Sequence, residues 1–103
     1  MILNVTDATS GEIVKNDTMV LVFSADWCGP CKMMIPMWED ITKSNNGLII
    51  GKVNVDNNPL LKEEYNISGV PSILFMKKGV IVNRQNGACP KSVIQGKINL
   101  LSV

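Results

Sequence analysis

The amino-acid sequence predicts an α/β fold, a central mixed sheet flanked by helices on both faces. Three observations carry that prediction. Strand-like apolar runs alternate with segments of helical periodicity through most of the chain, the pattern of strands joined by helices. Two such runs then follow one another across Lys78-Gly79, as in an antiparallel hairpin. The 103 residues, 46% hydrophobic and 18% charged, suffice for one domain with a buried core and leave no room for a second.

Taken in order, Ile2–Val5 reads as a short edge strand. Thr9-Ser10-Gly11-Glu12 has the spacing of a capping box, so a short helix is expected over Ser10–Lys15, ended by Asn16-Asp17. Met19–Ser24 is an uninterrupted apolar strand, suited to the middle of a sheet covered on both faces. From Cys28 to Ser44 the pattern is helical, with Met34, Met37, Trp38 and Ile41 on one face and Pro36 expected to kink it. Asn45-Asn46-Gly47 stops this helix and Leu48–Val55 forms the next strand. Pro59 suits the first position of a short helix to Tyr65. Ser72–Lys77 and Val80–Gln85 make the hairpin. Pro90–Leu101 closes the chain as a helix with Val93, Ile94, Ile98 and Leu101 at helical spacing, slightly weakened by Gly96. The order β-α-β-α-β-α-β-β-α gives five strands and four helices in a single domain spanning residues 1–103.

Charge and composition exclude several function classes. A net charge of +1 with no Lys/Arg block offers no electrostatic footprint for nucleic acid. The longest apolar runs, such as Met19–Phe23 and Val80–Val82, are far short of a membrane span. Met1–Asp7 lacks the charged and apolar regions of a signal peptide, so a cytoplasmic location is expected. Asn4, Asn16 and Asn66 open Asn-x-Ser/Thr sequons, which read as chance matches in that setting. The chain has no histidine, which removes Cys-His proteases, Ser-His-Asp hydrolases and most zinc hydrolases.

The chemistry points to Cys28-Gly29-Pro30-Cys31. Three cysteines are too few, and odd in number, for a disulfide framework, and a cytosolic disulfide is more often catalytic than structural. Two thiols separated by two residues close a small ring with little backbone movement. Their place at the end of a buried strand and the start of a helix matters as much, because unpaired N–H groups and the helix dipole stabilise a thiolate there. Cys28, facing solvent and those amides, reads as the nucleophile; Cys31, one turn in and more buried, reads as the resolving thiol. Pro30 pre-sets φ for the first turn, and Trp27 supplies a flat apolar shoulder. A C-x-x-C pair is also half a zinc site, but no second pair and no histidine complete one, so no metal is expected.

These segments resemble the thioredoxin family over essentially the whole chain. Ala25-Asp26-Trp27-Cys28-Gly29-Pro30-Cys31-Lys32-Met33 is similar to the family's active-site segment, and Pro36 to its kinking proline. Lys52-Val53-Asn54-Val55-Asp56 with Asn58-Pro59 resembles its third strand and the turn after it. Tyr65-Asn66-Ile67-Ser68-Gly69-Val70-Pro71-Ser72 resembles the stretch ending in its cis-proline, and Gly87-Ala88 its glycine loop. The resemblance implies the thioredoxin fold, a cis Val70–Pro71 bond facing the dithiol, and pairing of the Val70 backbone with an extended substrate segment. It implies a substrate surface of Trp27, Gly29, Pro30, Val70, Pro71, Gly87 and Ala88, with Lys52 as a supporting residue. It further implies a monomeric protein dithiol–disulfide oxidoreductase that reduces disulfides in target proteins. An NADPH-dependent, flavin-containing thioredoxin reductase would recycle it, with no cofactor on this chain. Two alternatives stand beside this reading: a disulfide oxidant or isomerase, against which Gly29-Pro30 resembles the reductants, and a binding subunit of another enzyme with incidental redox activity.

The sequence departs from the family pattern at two places. Val22 stands where most members carry a buried aspartate that helps to deprotonate the resolving thiol, so water near Lys52 is expected to take that proton. Ser24 stands where an aromatic residue is usual, which loosens packing behind the motif. Other residues have plainer readings. Lys52 reads equally well as a strand lysine with its stem along apolar surface. Asp56 reads as a turn former with Asn57-Asn58 rather than a partner of Trp27. Cys89 reads as a small half-buried residue at a helix cap, with activation by that helix end as the alternative. The six methionines read as helix packing.

Overall fold

The β-rich runs collect into one five-stranded sheet in the computed structural model of the chain. The structure describes residues 1–102; Val103, the last residue of the expected domain, lies outside the described residues. The strands are β1 (Ile2–Asn4), β2 (Thr18–Ser24), β3 (Ile49–Asn54), β4 (Ser72–Lys77) and β5 (Val80–Asn86), in the spatial order β1-β3-β2-β4-β5. β1, β3 and β2 run parallel, whereas β4 is antiparallel to β2 and β5 to β4. The expected mixed sheet is therefore present. β2 is central and Met19 through Phe23 are all buried, as an apolar run without alternation requires. At the hairpin, Lys78 and Gly79 have φ of 51° and 81°, the two positive values that a twist-matched two-residue turn needs.

The helices are α1 (Ser10–Ile13), α2 (Gly29–Met33), α3 (Ile35–Ser44), α4 (Pro59–Glu64) and α5 (Lys91–Asn99), followed by a 3₁₀ turn at Leu100–Ser102. The segment expected as one kinked helix from Cys28 to Ser44 is two helices meeting at Met34. Pro36 has no N–H to continue the ladder, so it sits in the first turn of α3 while the Met34 N–H closes α2 onto the Cys31 and Lys32 carbonyls. The capping box expected at Thr9 does not form. Its hydroxyl instead accepts the Thr6 N–H at 3.0 Å and makes no cap bond to α1. On α5, Ile94 and Ile98 are buried with Leu101 just beyond, but Val93 lies one position off that stripe and is 38% exposed.

Two apolar clusters fill the sheet's faces. On one, Val20, Val22, Ile50, Ile73 and Phe75 meet Trp38 and Ile41 of α3 and Ile94 and Ile98 of α5. On the other, Met19, Leu21, Phe23, Val53, Leu74 and Met76 meet Val5, Ile13, Leu61 and Ile67, and this second cluster also contains Cys28 and Cys31.

Candidate active site

β2 delivers the chain to the dithiol. After Ser24 the strand ends, the Cys28 N–H bonds back to the Ala25 carbonyl at 3.1 Å, and Cys28 becomes the N-cap of α2. Its backbone is extended (φ −87°, ψ 105°), which turns its side chain onto the first amides of the helix. The Cys31 N–H donates to the Cys28 sulfur at 3.2 Å. Pro30, in the first turn, removes one amide that would otherwise lack a partner. Cys28 and Cys31 are joined in a disulfide, their Cα atoms 5.3 Å apart. The sequence leads one to expect a solvent-facing Cys28 and a more buried Cys31. In this oxidised form the two are instead buried alike, at 4% and 7% exposed. In the closed ring the Cys28 sulfur lies on the first turn of α2, and both cysteines belong to the same apolar cluster.

The cis-proline segment, the glycine loop and Lys52 are the expected neighbours of the dithiol. The Val70–Pro71 bond is cis, Pro71 is buried and lines a cavity together with Cys31, and Val70 packs on the cluster that contains both cysteines. The Gly87 N–H donates to the Pro71 carbonyl at 2.8 Å, so the glycine loop is tied to the cis-proline. Gly87 reaches this place with φ of 89°, a conformation open to glycine at little cost. Ser72 secures the other side, its hydroxyl donating to the Gly69 carbonyl at 2.6 Å. Gly29 and Pro30 are exposed, and Ala88 shares a surface groove with Pro30, Met33 and Met37. Lys52, half-buried on β3, lines the Cys31 cavity.

Trp27 is 70% exposed, and its indole N–H donates to Asp56 Oδ2 at 2.9 Å. This corrects the reading of Asp56. The turn is real, with the Asp56 N–H donating to Asn54 Oδ1 at 2.9 Å, yet the carboxylate is the partner of Trp27 as well. The reading of the methionines also needs correction at Met33, which is 82% exposed beside Pro30. Met33 lies one position off the stripe of Met34, Trp38 and Ile41, so the spacing that buries those three leaves it outside. Cys89 is free and half-buried, and burial pushes its thiol up from the ordinary value, with Lys97 partly offsetting the effect. Activation by the last helix is not seen there. Among the described residues, no three His, Cys, Asp or Glu side chains converge as a metal-binding set, and no helix is long and apolar enough to cross a membrane.

The family model described as Thioredoxin matches residues 1–100. The chain belongs to the thioredoxin family. It is 43% identical over 90 residues to the thioredoxin of Chlorobaculum thiosulfatiphilum, covering 85% of this chain and 83% of that protein. To the thioredoxin of Porphyra purpurea it is 40% identical over 98 residues, covering 92% of each. A solved structure, that of a mutant thioredoxin from Halobacterium salinarum NRC-1, superposes with a TM-score of 0.91 at 27% identity, over 99% of this chain and 91% of that one. The fold is accordingly the thioredoxin fold. With its Cys28-Gly29-Pro30-Cys31 pair closed as a disulfide, this thioredoxin-family chain is a protein dithiol–disulfide oxidoreductase of the disulfide-reductase type, and disulfide-containing proteins are its targets.

Proposed function

We propose that Cys28 is the attacking thiol and Cys31 the resolving one. The supporting observation is the bond from the Cys31 N–H to the Cys28 sulfur at the start of α2. In the reduced protein the same amide and the open end of the helix favour negative charge on that sulfur, and the thiolate is the nucleophile. Cys28 attacks a target disulfide, one target sulfur leaves as a thiolate, and a mixed disulfide forms. Cys31 then attacks the Cys28 sulfur, the second target sulfur leaves, and the two electrons given to the target leave Cys28 and Cys31 oxidised.

Trp27, Gly29, Pro30, Val70, Pro71, Gly87 and Ala88 form the target surface in this reading. It is mostly apolar and rich in glycine and proline, which suits extended segments of many proteins better than one small ligand, and the Val70 backbone pairs with such a segment. Lys52 supports Cys31 from the cavity wall. The chain acts as a single-domain monomer in the cytoplasm, an electron carrier that an NADPH-dependent thioredoxin reductase returns to the dithiol. It needs no cofactor of its own and binds neither nucleic acid nor membrane.

The deciding measurement is the reduction potential of the Cys28–Cys31 pair against a thiol–disulfide buffer. A value close to that characteristic of thioredoxins, about −270 mV, supports the reducing direction; one near about −180 or −120 mV would make the protein an isomerase or oxidant. A Cys28→Ser, Cys31→Ser double variant that kept its cellular role would overturn the redox reading in favour of a binding subunit.

A further inference from the structure

Val22 and Ser24, where the resemblance noted above leads one to expect an aspartate and an aromatic residue, lie in the wall of one cavity that reaches Cys31. Both side chains alternate onto the same face of β2. Lys52, the register partner of Val22 on β3, lines the same cavity, and Trp38 and Pro71 are among its other walls. The cavity measures about 160 Å³, room for several water molecules. Ser24 holds the fold through its carbonyl, which accepts the Val55 N–H at 3.0 Å, and the residue also lines the cavity. An aromatic side chain here would fill the space. A serine leaves the space open and adds a hydroxyl to its wall.

The consequence concerns the second chemical step. Cys31 is 7% exposed, and burial opposes ionisation of a thiol. A carboxylate at Val22 could relieve that by taking the proton, but valine cannot. We propose that Ser24 is a positioning residue for resolution: its hydroxyl, with water anchored in this cavity, solvates the Cys31 thiolate. The cavity thus does by solvation what a buried base does by proton transfer. The proposal rests on Cys31 being the resolving thiol. In the step itself the Cys31 proton passes along the cavity water to solvent, and the thiolate attacks the Cys28 sulfur. The Cys28–target bond breaks, and its electron pair leaves on the target sulfur, which takes up a proton. The charged groups that line the cavity are Asp26 from the loop after β2, Lys32 from α2 and Lys52 from β3, a cationic balance that also suits a thiolate.

The test is rapid-quench, single-turnover reduction of a disulfide-bonded peptide, which separates formation of the Cys28 mixed disulfide from its release across the neutral pH range. Ser24→Phe is expected to slow release about tenfold at neutral pH and to move its pH midpoint up by about one unit, with formation unchanged. Ser24→Ala keeps the space and loses only the hydroxyl, so about threefold slower release is expected, and this variant serves if the phenylalanine does not fold. Adding Val22→Asp to Ser24→Phe is expected to restore release. Unchanged release in both Ser24 variants, or slowing with no movement of the pH midpoint, overturns the role of Ser24. Release that persists in Cys31→Ser would instead overturn the assignment of the resolving thiol, so the two failures are distinguishable.

Discussion

The two faces of the sheet are built by different means. One is covered by α3 and α5, helices of ten and nine residues whose apolar side chains repeat at helical spacing. The other is covered by α1 and α4, of four and six residues, helices too short to stand on their own packing. What holds that second face is a set of bonds from distant loops and one missing side chain. Asp7, in the loop after β1, accepts the Leu61 N–H at 2.9 Å and the Leu60 N–H at 3.2 Å, capping α4 from more than fifty residues away. Asn58 returns the tie, its Oδ1 accepting the Asp7 N–H at 2.9 Å and its Nδ2 donating to the Asn54 carbonyl at 2.9 Å. The first face is held by volume; the second is held by pins.

The largest expected effect lies on the first face. Ile94 is fully buried between α5 and the sheet, and Ile94→Ala removes three carbons from a packed site. A loss of about 3 kcal/mol is expected, read from the urea midpoint at unchanged slope. A loss below about 1 kcal/mol would mean that α5 collapses onto the gap, and the contrast between the faces would weaken.

Gly51 tests the second face. A Cβ there would lie 2.8 Å from Val5 Cγ2 and 3.0 Å from Leu21 Cδ1, and the β-branched Val5 has little freedom to withdraw. Gly51→Ala is therefore expected to cost about 2 kcal/mol by overpacking, even though alanine is the better strand residue. A stabilised variant would show that Val5 and its loop yield, and that this face is looser than its pins suggest.

The same contrast decides what was legible in the sequence. Apart from the split of one helix at Met34, the order of elements, the central position of β2 and the hairpin turn at Lys78-Gly79 follow from local periodicity and turn chemistry, and the structure matches them. Met34, Met37, Trp38 and Ile41 could be assigned to one face, on which all but the half-buried Met37 are buried, because α3 and its N-cap Met34 keep the 3.6-residue repeat. The C-x-x-C pair was legible as a redox site because ring closure and the helix start are both local facts. Long-range bonds were not legible. Nothing near Asp7 says that its carboxylate caps a helix beginning at Pro59, and nothing near Asp56 says that it accepts the Trp27 indole. Nor could the sequence relate Val22 and Ser24 to the same cavity, since that depends on the positions of Trp38, Lys52 and Pro71 around them.

Asp7 gives a smaller and more local test. Asp7→Ala leaves the Leu60 and Leu61 amides to water, at an expected cost of about 1 kcal/mol, the usual value of a lost helix cap. Hydrogen exchange should locate the change: faster exchange confined to α4 and the loop after β1, with α3 and α5 unaffected. Uniform acceleration across both faces would mean that the pins hold the whole fold rather than one side of it.

The smallest effect compares the cysteines, one on each side of the divide. Cys28 belongs to the pinned face and caps α2, its sulfur accepting an amide of the first turn. Cys89 packs on the volume-held face and comes just before Pro90, which is itself the N-cap of α5 and has no N–H. Two cysteines near helix starts thus receive opposite treatment: the first is offered a backbone hydrogen bond, and the second has its thiol raised chiefly by burial. Burial raises the Cys89 thiol above its ordinary value of 9.0, so near neutral pH iodoacetamide should modify it more slowly than a cysteine in an unstructured peptide. The linked stability has a definite sign. Because the folded form holds this proton more tightly, that contribution is complete below the unfolded-state value and is lost as pH rises through the folded one. A slight fall in stability above about pH 9 is therefore expected, smaller in Cys89→Ala, where the fall that remains at higher pH comes from Tyr65, also raised by burial and by Glu64. Modification of Cys89 as fast as the peptide would show that this sulfur is wet and that the volume-held face opens at the end of α5.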